Sequence, residues 1–384
     1  MRTWIDTRTD KKDIIMKKIL FLTAFPPSEN AAAEKNTMLM LRDLSEHGYQ
    51  IDLVYFKDAD KKEYVPESPS ISVLKVIPNS KQFRIKNALK HLFIHPIFSV
   101  RFNDAVLSEL QNSINYNNYS AIVFDHSQTL TYARKLQFDG PKLLVCHDVE
   151  AQRFERTSNK LMAWLCKFSE RQVLSSKNAN VFAFCQKDID LIKEYYSIDG
   201  DVILDYIDDR IKNNIPEKIS EDFVMFGNWH RKDNYEGALW LLNGLSDYLS
   251  DMINVNIIGK GFPIEKINID KNKIKLNFMG FVDDPYPVIA RSKAMLSPLL
   301  SGAGIKVKVM EALASGTPVI GTDIAFEGFS EKFSFFMLKA QNLEDFSKQI
   351  EQLDCSLEER LKFKEMFIQN YQSMTIPKWL DENM

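Results

Sequence analysis

The chain has 384 residues, and at roughly 150 residues per domain that is room for two to three domains, more than a single small binding module needs. Its 49 Lys and Arg stand against 52 Asp and Glu, a net charge of −3, and 45% hydrophobic with 26% charged residues is the make-up of an ordinary globular chain. Collagen, coiled coil and a wholly disordered chain are excluded, and so is a general nucleic-acid binder, which would carry a strong basic excess over at least one domain.

In chain order, residues 1–16 are charged and aperiodic and are expected to form a disordered extension, within which Met16 offers an alternative start. No apolar segment of a signal peptide appears there, and nowhere do about eighteen apolar residues run together as a membrane span requires. The four cysteines, Cys146, Cys166, Cys185 and Cys355, are too few and too scattered for a disulfide framework or a CxxC zinc site, which fits a reducing cytoplasm. From Lys18 the pattern becomes regular. Ile19 to Phe25 is a continuous apolar run, as in a strand covered on both faces, and it ends at Pro26-Pro27. Met38, Leu41 and Leu44 at three-residue steps predict a helix that stops at Gly48, and Gln50 to Phe56 predicts the next strand.

Apolar runs at 71–77, 121–124, 143–146 and 181–184 continue this βαβ alternation, giving a doubly wound parallel α/β lobe over residues 17–205. A polar linker, 206–222, leads to a second such lobe over 223–342, with strands predicted at 223–226, 255–258, 276–279, 294–296 and 318–321. Residues 343–384 have helical spacing and are expected to pack back on the first lobe. Open α/β sheets bind ligands beyond the carboxyl ends of their strands, so two facing lobes define one deep cleft.

Between Glu67 and Asp104 there is no acidic residue, and Lys75, Lys81, Arg84, Lys86, Lys90 and Arg101 alternate with Phe83, Ile85, Leu89, Leu92, Phe93 and Ile94. Residues 75–101 therefore suit contact with an anionic membrane surface, each basic residue contributing about 1 kcal/mol. The alternative is an amphipathic helix packed on its own lobe with a solvated basic face.

The most informative segment is Ser301-Gly302-Ala303-Gly304-Ile305-Lys306-Val307-Lys308-Val309-Met310-Glu311, which runs through a helix to Gly316-Thr317-Pro318. Gly302 and Gly304 let a ligand approach the backbone, and the free amides and positive dipole end of the following helix favour a phosphate. Lys308 and Glu311, three apart, share one helix face, so a cation and a hydrogen-bond acceptor meet the same ligand. A tight turn beside a surface Lys–Glu pair is the structural alternative.

Together with Gly280-Phe281-Val282-Asp283-Asp284, Ala294-Met295-Leu296-Ser297-Pro298, Gly321-Thr322 and Glu327-Gly328, this segment resembles the carboxyl lobe of glycosyltransferase family four, the glycosyl transferases group 1. The resemblance implies the GT-B fold, two Rossmann-like lobes facing a central cleft, with the acceptor on the first and a nucleotide diphosphate sugar on the second. It also implies retention of anomeric configuration with no metal and no cofactor.

Position by position, the resemblance makes Glu311 the acceptor for the donor ribose and puts Ala303 where a first glutamate often stands. It assigns Gly304, Ile305 and Lys308 to the donor diphosphate, joined by Arg231 and Lys232 from the loop Gly227 to Asn234. Asp233 with Glu236 would also make a capping box for the next helix. His147, at the end of the strand Leu143 to Cys146, matches a catalytic histidine that contacts the transferred sugar. Ser28, in the first loop, and His126 are expected on the acceptor side. Near the hinge only Asp208 of the family pattern is retained. Asp148 and Glu150 lack a second histidine at ligand spacing, so no metal is expected.

The activity implied is transfer of a sugar to a glycan or lipid-linked acceptor in cell-surface polysaccharide biosynthesis, in the cytoplasm and peripheral on the inner face of the cell membrane. Ala303 and the altered first loop leave room for a non-enzymatic nucleotide-sugar-binding subunit. A GT-B epimerase is a second alternative, and a metal-dependent transferase using Asp58-Ala59-Asp60 a third, although a similar pair recurs by chance at Asp188-Ile189-Asp190.

Overall fold

The computed structural model describes residues 17–29, 31–204, 206–302, 304–371 and 375–383; the extension expected over 1–16, and Ala303, lie outside the described residues. The first lobe is built from β1 (Lys18–Thr23), α1 (Ala32–Glu46), β2 (Gln50–Lys57), β3 (Ile71–Pro78), α2 (Lys81–Lys90), α3 (Pro96–Ser99), α4 (Asp104–Tyr116) and β4 (Ala121–Asp125). It continues with α5 (Leu130–Lys135), β5 (Lys142–Cys146), α6 (Glu150–Thr157), α7 (Lys160–Leu174), β6 (Ala179–Ala183), α8 (Gln186–Tyr196) and β7 (Gly200–Val202).

These strands form a seven-stranded sheet in the order β3-β2-β1-β4-β5-β6-β7, and every pairing is parallel. Parallel strands carry helices on both faces, which is why β1, β4 and β5 are apolar at nearly every position and feed two separate cores. Side-chain caps start several of the helices: Ser80 for α2, Asn103 for α4 and Asn159 for α7 each accept a first-turn backbone N–H.

The second lobe holds β8 (Phe223–Phe226), α10 (Lys232–Leu245), β9 (Ile253–Ile258), β10 (Ile274–Gly280), α11 (Tyr286–Arg291), β11 (Met295–Ser297), α12 (Val307–Ala314), β12 (Val319–Gly321) and β13 (Met337–Lys339). Its six strands run β10-β9-β8-β11-β12-β13, again all parallel. Strand order therefore reverses between β1 and β4 in one lobe and between β8 and β11 in the other. Crevices open at such switch points, and the loops that leave these four strands carry Ser28, His126, Arg231 and Gly304.

Two stretches differ from the expectation. The linker 206–222 includes a short helix, α9 (Asp209–Asn213), capped by Asp208 and anchored by buried Ile207 and Ile211 in the core of the second lobe. The tail divides between the lobes. Helices α13 (Leu343–Gln352) and α14 (Leu357–Tyr371) complete the second lobe, where the Phe363 ring stacks 3.9 Å from Phe336 and Arg360 donates to the Ser292 carbonyl at 2.7 Å. Only α15 (Ile376–Asn383) returns to the first lobe, burying Ile376, Trp379 and Leu380 beside α1 and donating from Trp379 Nε1 to Asp201 at 3.1 Å. Phe363 and Phe367 are apolar enough to be drawn into the nearer core, which helical spacing alone does not reveal.

Candidate active site

The glycine-rich turn and α12 meet the first lobe directly. Gly304 has φ +65°, and a Cβ there would lie 2.3 Å from Asp148 Oδ1 and 3.0 Å from the His147 carbonyl. Conformation and space together demand glycine at this point. Lys308, in the first turn of α12, donates from Nζ to Asn234 Oδ1 at 3.0 Å and lies 5.9 Å from the centre of the Trp229 ring. Asn234 is turned to it because its own amide donates to the Asn228 carbonyl at 2.8 Å, while Trp229 is fixed by a bond from Nε1 to the Ile258 carbonyl at 2.9 Å. Burial pushes the Lys308 ammonium down to about 7, and the charges of Arg231 and Lys306 push in the same direction. Such a cation is short of counter-charge, which an incoming diphosphate would supply.

Across the cleft, β4 and β5 end side by side in Asp125 and His147. Asp125 is fully buried and faces His147 Nε2 at 2.7 Å, while Thr23 and Thr37 donate to its other oxygen at 2.9 and 2.6 Å. Burial alone would raise this carboxyl; the neighbouring histidines and the bonds from His147 and Thr37 outweigh it and hold it well below the usual carboxylate range. The pair fixes the His147 ring, leaving it less buried than its partner. His126 stacks on that ring at 3.8 Å, edge-on to Phe25 at 5.2 Å. Burial pushes its imidazole down to about 3. His126, expected on the acceptor side, is buried against His147, at φ 72° where the chain turns out of β4.

Among the described residues, Asp125, His126 and His147 are the group whose candidate ligand atoms all lie within 4.8 Å of one another. A direct hydrogen bond and stacked rings already occupy these atoms, whereas ligands around a transition metal stand apart at roughly 2 Å from the ion. The residues fit an oriented histidine better than a metal centre.

Two ionic clusters cross between the lobes. In the first, Lys35 of α1 places Nζ 2.8 Å from Asp208 and 3.0 Å from Glu311 Oε1, and also bonds the Tyr286 hydroxyl. That hydroxyl donates to the same Glu311 oxygen at 2.7 Å. Burial works against ionisation of Asp208, but Arg210 and Lys35 hold its carboxyl well below the ordinary range. In the second cluster, Arg156 of α6 donates to the Gly302 carbonyl at 2.9 Å and to both oxygens of Glu327, at 2.9 and 3.2 Å. Lys187 of α8 joins Glu327 at 3.0 Å. The first turn of α6 is fixed by buried Glu170, which accepts the backbone N–H groups of Glu150 and Ala151 at 2.8 and 2.9 Å. Gly328 continues this contact, with φ +91° and no room for a Cβ against Cys185 Sγ, 2.9 Å away.

The structure thus sets Gly304, with Ile305 next in the chain, against His147 where the lobes meet, at the foot of α12, which carries Lys308 and Glu311. Other expected residues stand differently. Lys232 is exposed and pairs with Glu236 one turn along α10, at 3.3 Å. Arg231 is exposed too and pairs with Asp233, though near enough to act on Lys308. The predicted capping box does not form, because α10 starts at Lys232 and leaves Asp233 within the helix. Ser28 bonds Glu34 at 2.5 Å at the mouth of α1. In the basic stretch, Arg101 is buried with its guanidinium 4.6 Å from the Phe25 ring, and Lys75 and Lys90 pair with Glu109 and Asp104. Phe83 and Ile94 pack on the core, while Ile85, Leu89, Leu92 and Phe93 remain exposed. Sequence reasoning missed Lys35, Tyr286, Arg156 and Lys187, which carry no motif of their own. Asp125 had a signal, a carboxylate ending a strand beside the one that ends in His147.

Fold and site define the class: the chain has the GT-B fold of glycosyltransferases, with its charged and glycine-rich loops gathered at the two switch points. Residues 220–354 match the family Glycosyl transferases group 1, so the second lobe carries the pattern of that family and the resemblance read from its motifs holds. Sucrose-phosphate synthase from Thermosynechococcus elongatus superposes with a TM-score of 0.66 at 12% identity, over 96% of this chain and 97% of that one. Anabaena Alr3699/HepE in complex with UDP-glucose gives 0.62 at 13% identity, over 95% and 98%. A S. aureus TarM mutant in complex with fondaparinux, alpha-GlcNAc-glycerol and UDP gives 0.62 at 12%, over 96% and 98%. At such identities the likeness is one of fold. No curated protein matches the chain in sequence.

Proposed function

We propose that the chain is a retaining, metal-independent glycosyltransferase that moves a sugar from a nucleotide diphosphate sugar to a glycan or lipid-linked acceptor in cell-surface polysaccharide biosynthesis. The observation that supports this reading is the close approach of the Gly304 turn to His147 and Asp148 of the first lobe, at the foot of the helix that carries Lys308 and Glu311. Structurally similar proteins holding UDP-glucose or UDP support the nucleotide-sugar donor. The diphosphate would lie against the backbone N–H groups of Gly304 and Ile305, with Lys308 neutralising the charge that grows as the glycosidic bond breaks. Glu311 would accept the ribose hydroxyls, and His147, its ring held by Asp125, would bond the transferred sugar. The acceptor hydroxyl would attack from the face the diphosphate leaves. Arg231 is a second cation for the diphosphate if its arm swings from Asp233; Lys232 has less call to do so.

We place the protein in the cytoplasm, peripheral on the inner membrane face. Among the described residues no helix is long and apolar enough to cross a membrane. Exposed Leu89 and Phe93 are joined by a second exposed stripe on α7, where Trp164 and Phe168 stack 5.7 Å apart. The His95 amide donates to Ser169 at 2.8 Å, which sets the turn bearing Phe93 against α7 beside Phe168. Lys81, Arg84 and Lys86 supply positive charge around it.

The test is transfer from a panel of nucleotide diphosphate sugars, read as nucleotide release and product, in the presence of excess chelator. Turnover with retained anomeric configuration by NMR is expected, and Glu311→Ala should lower kcat/KM by about 10- to 100-fold, as loss of a hydrogen bond to a charged group implies. An inverted product, loss of turnover in chelator or full donor use by a folded Glu311→Ala variant would contradict the corresponding element of the reading.

A further inference from the structure

Glu311, the carboxylate proposed to hold the ribose, is already engaged. Its side chain is 8% exposed, and Oε1 receives both Lys35 Nζ and the Tyr286 hydroxyl. Lys35 is itself 11% exposed, lies 4.9 Å from the centre of the Tyr286 ring, and is shared with Asp208. Lys35 belongs to the first lobe, whereas Glu311 and Tyr286 belong to the second and Asp208 to the segment joining them. The contact therefore exists only while the lobes are closed. A ribose diol needs the same carboxylate, and Lys35 and Tyr286 already hold its Oε1.

We infer that Lys35 is a specificity-determining gate on the nucleotide site, an internal cation seated on Glu311 that the ribose of an incoming nucleotide must displace. The inference rests on the reading of Glu311 as the ribose acceptor and adds a competitor for it. Displacement is feasible because Asp208 remains as a partner for the ammonium when Glu311 is given up. The gate sets a threshold: only ligands offering hydrogen bonds good enough to replace a buried ion pair open it, and apparent affinity falls by the fraction of molecules in which it is open. Lys35 differs in this from Lys308, whose hydrogen bond goes to the Asn234 amide oxygen and which a diphosphate would satisfy rather than dislodge.

Calorimetric titration of the full chain with UDP, GDP and ADP, and with uridine, guanosine and adenosine, separates the two roles. In Lys35→Met, the nucleotide that the wild type binds, and its bare nucleoside, are expected to bind about tenfold more tightly, the equivalent of one charged hydrogen bond no longer broken. Tyr286→Phe, which removes one hydroxyl and keeps the ring, should shift both ligands the same way by a smaller factor, and it guards against a Lys35 variant that fails to fold. Unchanged or weaker nucleoside binding in folded variants of both kinds overturns the gate. A loss confined to the diphosphate also overturns it, making Lys35 a phosphate ligand. Glu311→Gln in the Lys35→Met background, where no competitor is left to release, tells the two levels apart: if it leaves nucleoside affinity at the Lys35→Met value, the ribose reading fails and the gate with it. If it weakens the nucleoside there while Lys35→Met by itself changes nothing, the gate alone falls.

Discussion

Lys308 shows how the surroundings of one side chain set its chemistry. A lysine that loses water and gains an amide oxygen is a poor place for a charge, and its ammonium is down at about 7 as burial and the charges of Arg231 and Lys306 act together. The free enzyme then loses that charge as pH rises through 7, whereas a bound diphosphate would retain it. Affinity for the nucleoside diphosphate should therefore fall between pH 7 and 9, by at most about tenfold per unit, and Lys308→Met should flatten the profile. Calorimetric Kd values across that range check it; a wild-type affinity independent of pH would remove Lys308 from the diphosphate. The same residue affects stability. Unfolded lysine titrates near 10.5, so between about 7 and that value the unfolded chain binds more protons and this residue's contribution to stability rises with pH. At this scale Gly304, Lys308 and Glu311 were legible because they sit within eight consecutive residues of one motif. Lys35 was not, since it meets Glu311 from 276 residues away and nothing in its own neighbourhood marks it.

Among elements, the long buried strands could be read from their apolar runs, but β7 and β13 are three residues each and lie at sheet edges, where no run is needed. The basic stretch was legible as composition and misleading as geometry. Arg101 looked like one more surface charge, yet it is buried against Phe25, and the apolar side of α2 is only partly used by the core. What remains exposed on α2, its following turn and α7 yields a prediction for these elements. The protein should sediment with vesicles containing phosphatidylglycerol, and release as salt rises. Phe93→Ser combined with Trp164→Ser should weaken this by about tenfold or more, given the apolar area each ring would bury. Wild-type protein that ignores anionic vesicles, or a double variant that binds as well as wild type, would show these faces to be simply solvated.

For the whole molecule, the two-lobe layout followed from a strand and helix pattern that occurs twice, and the position of the cleft followed from the strand order. The way the lobes grip each other did not, because Arg156, Lys187 and Glu327 meet only once both lobes are folded and closed. Glu327 illustrates the balance: burial works against its charge, and Arg156 with Lys187 more than offsets this. The bond from Arg156 to the Gly302 carbonyl ties closure to the same turn that would receive the diphosphate. Every functional assignment made for the cleft depends on that turn being the seat of the donor. A crystal structure with the nucleoside diphosphate that binds in solution tests this most directly. The diphosphate is predicted against the Gly304 and Ile305 amides and Lys308 Nζ, with the ribose on Glu311 and Lys35 moved off it; a nucleotide seated away from this turn would contradict the account.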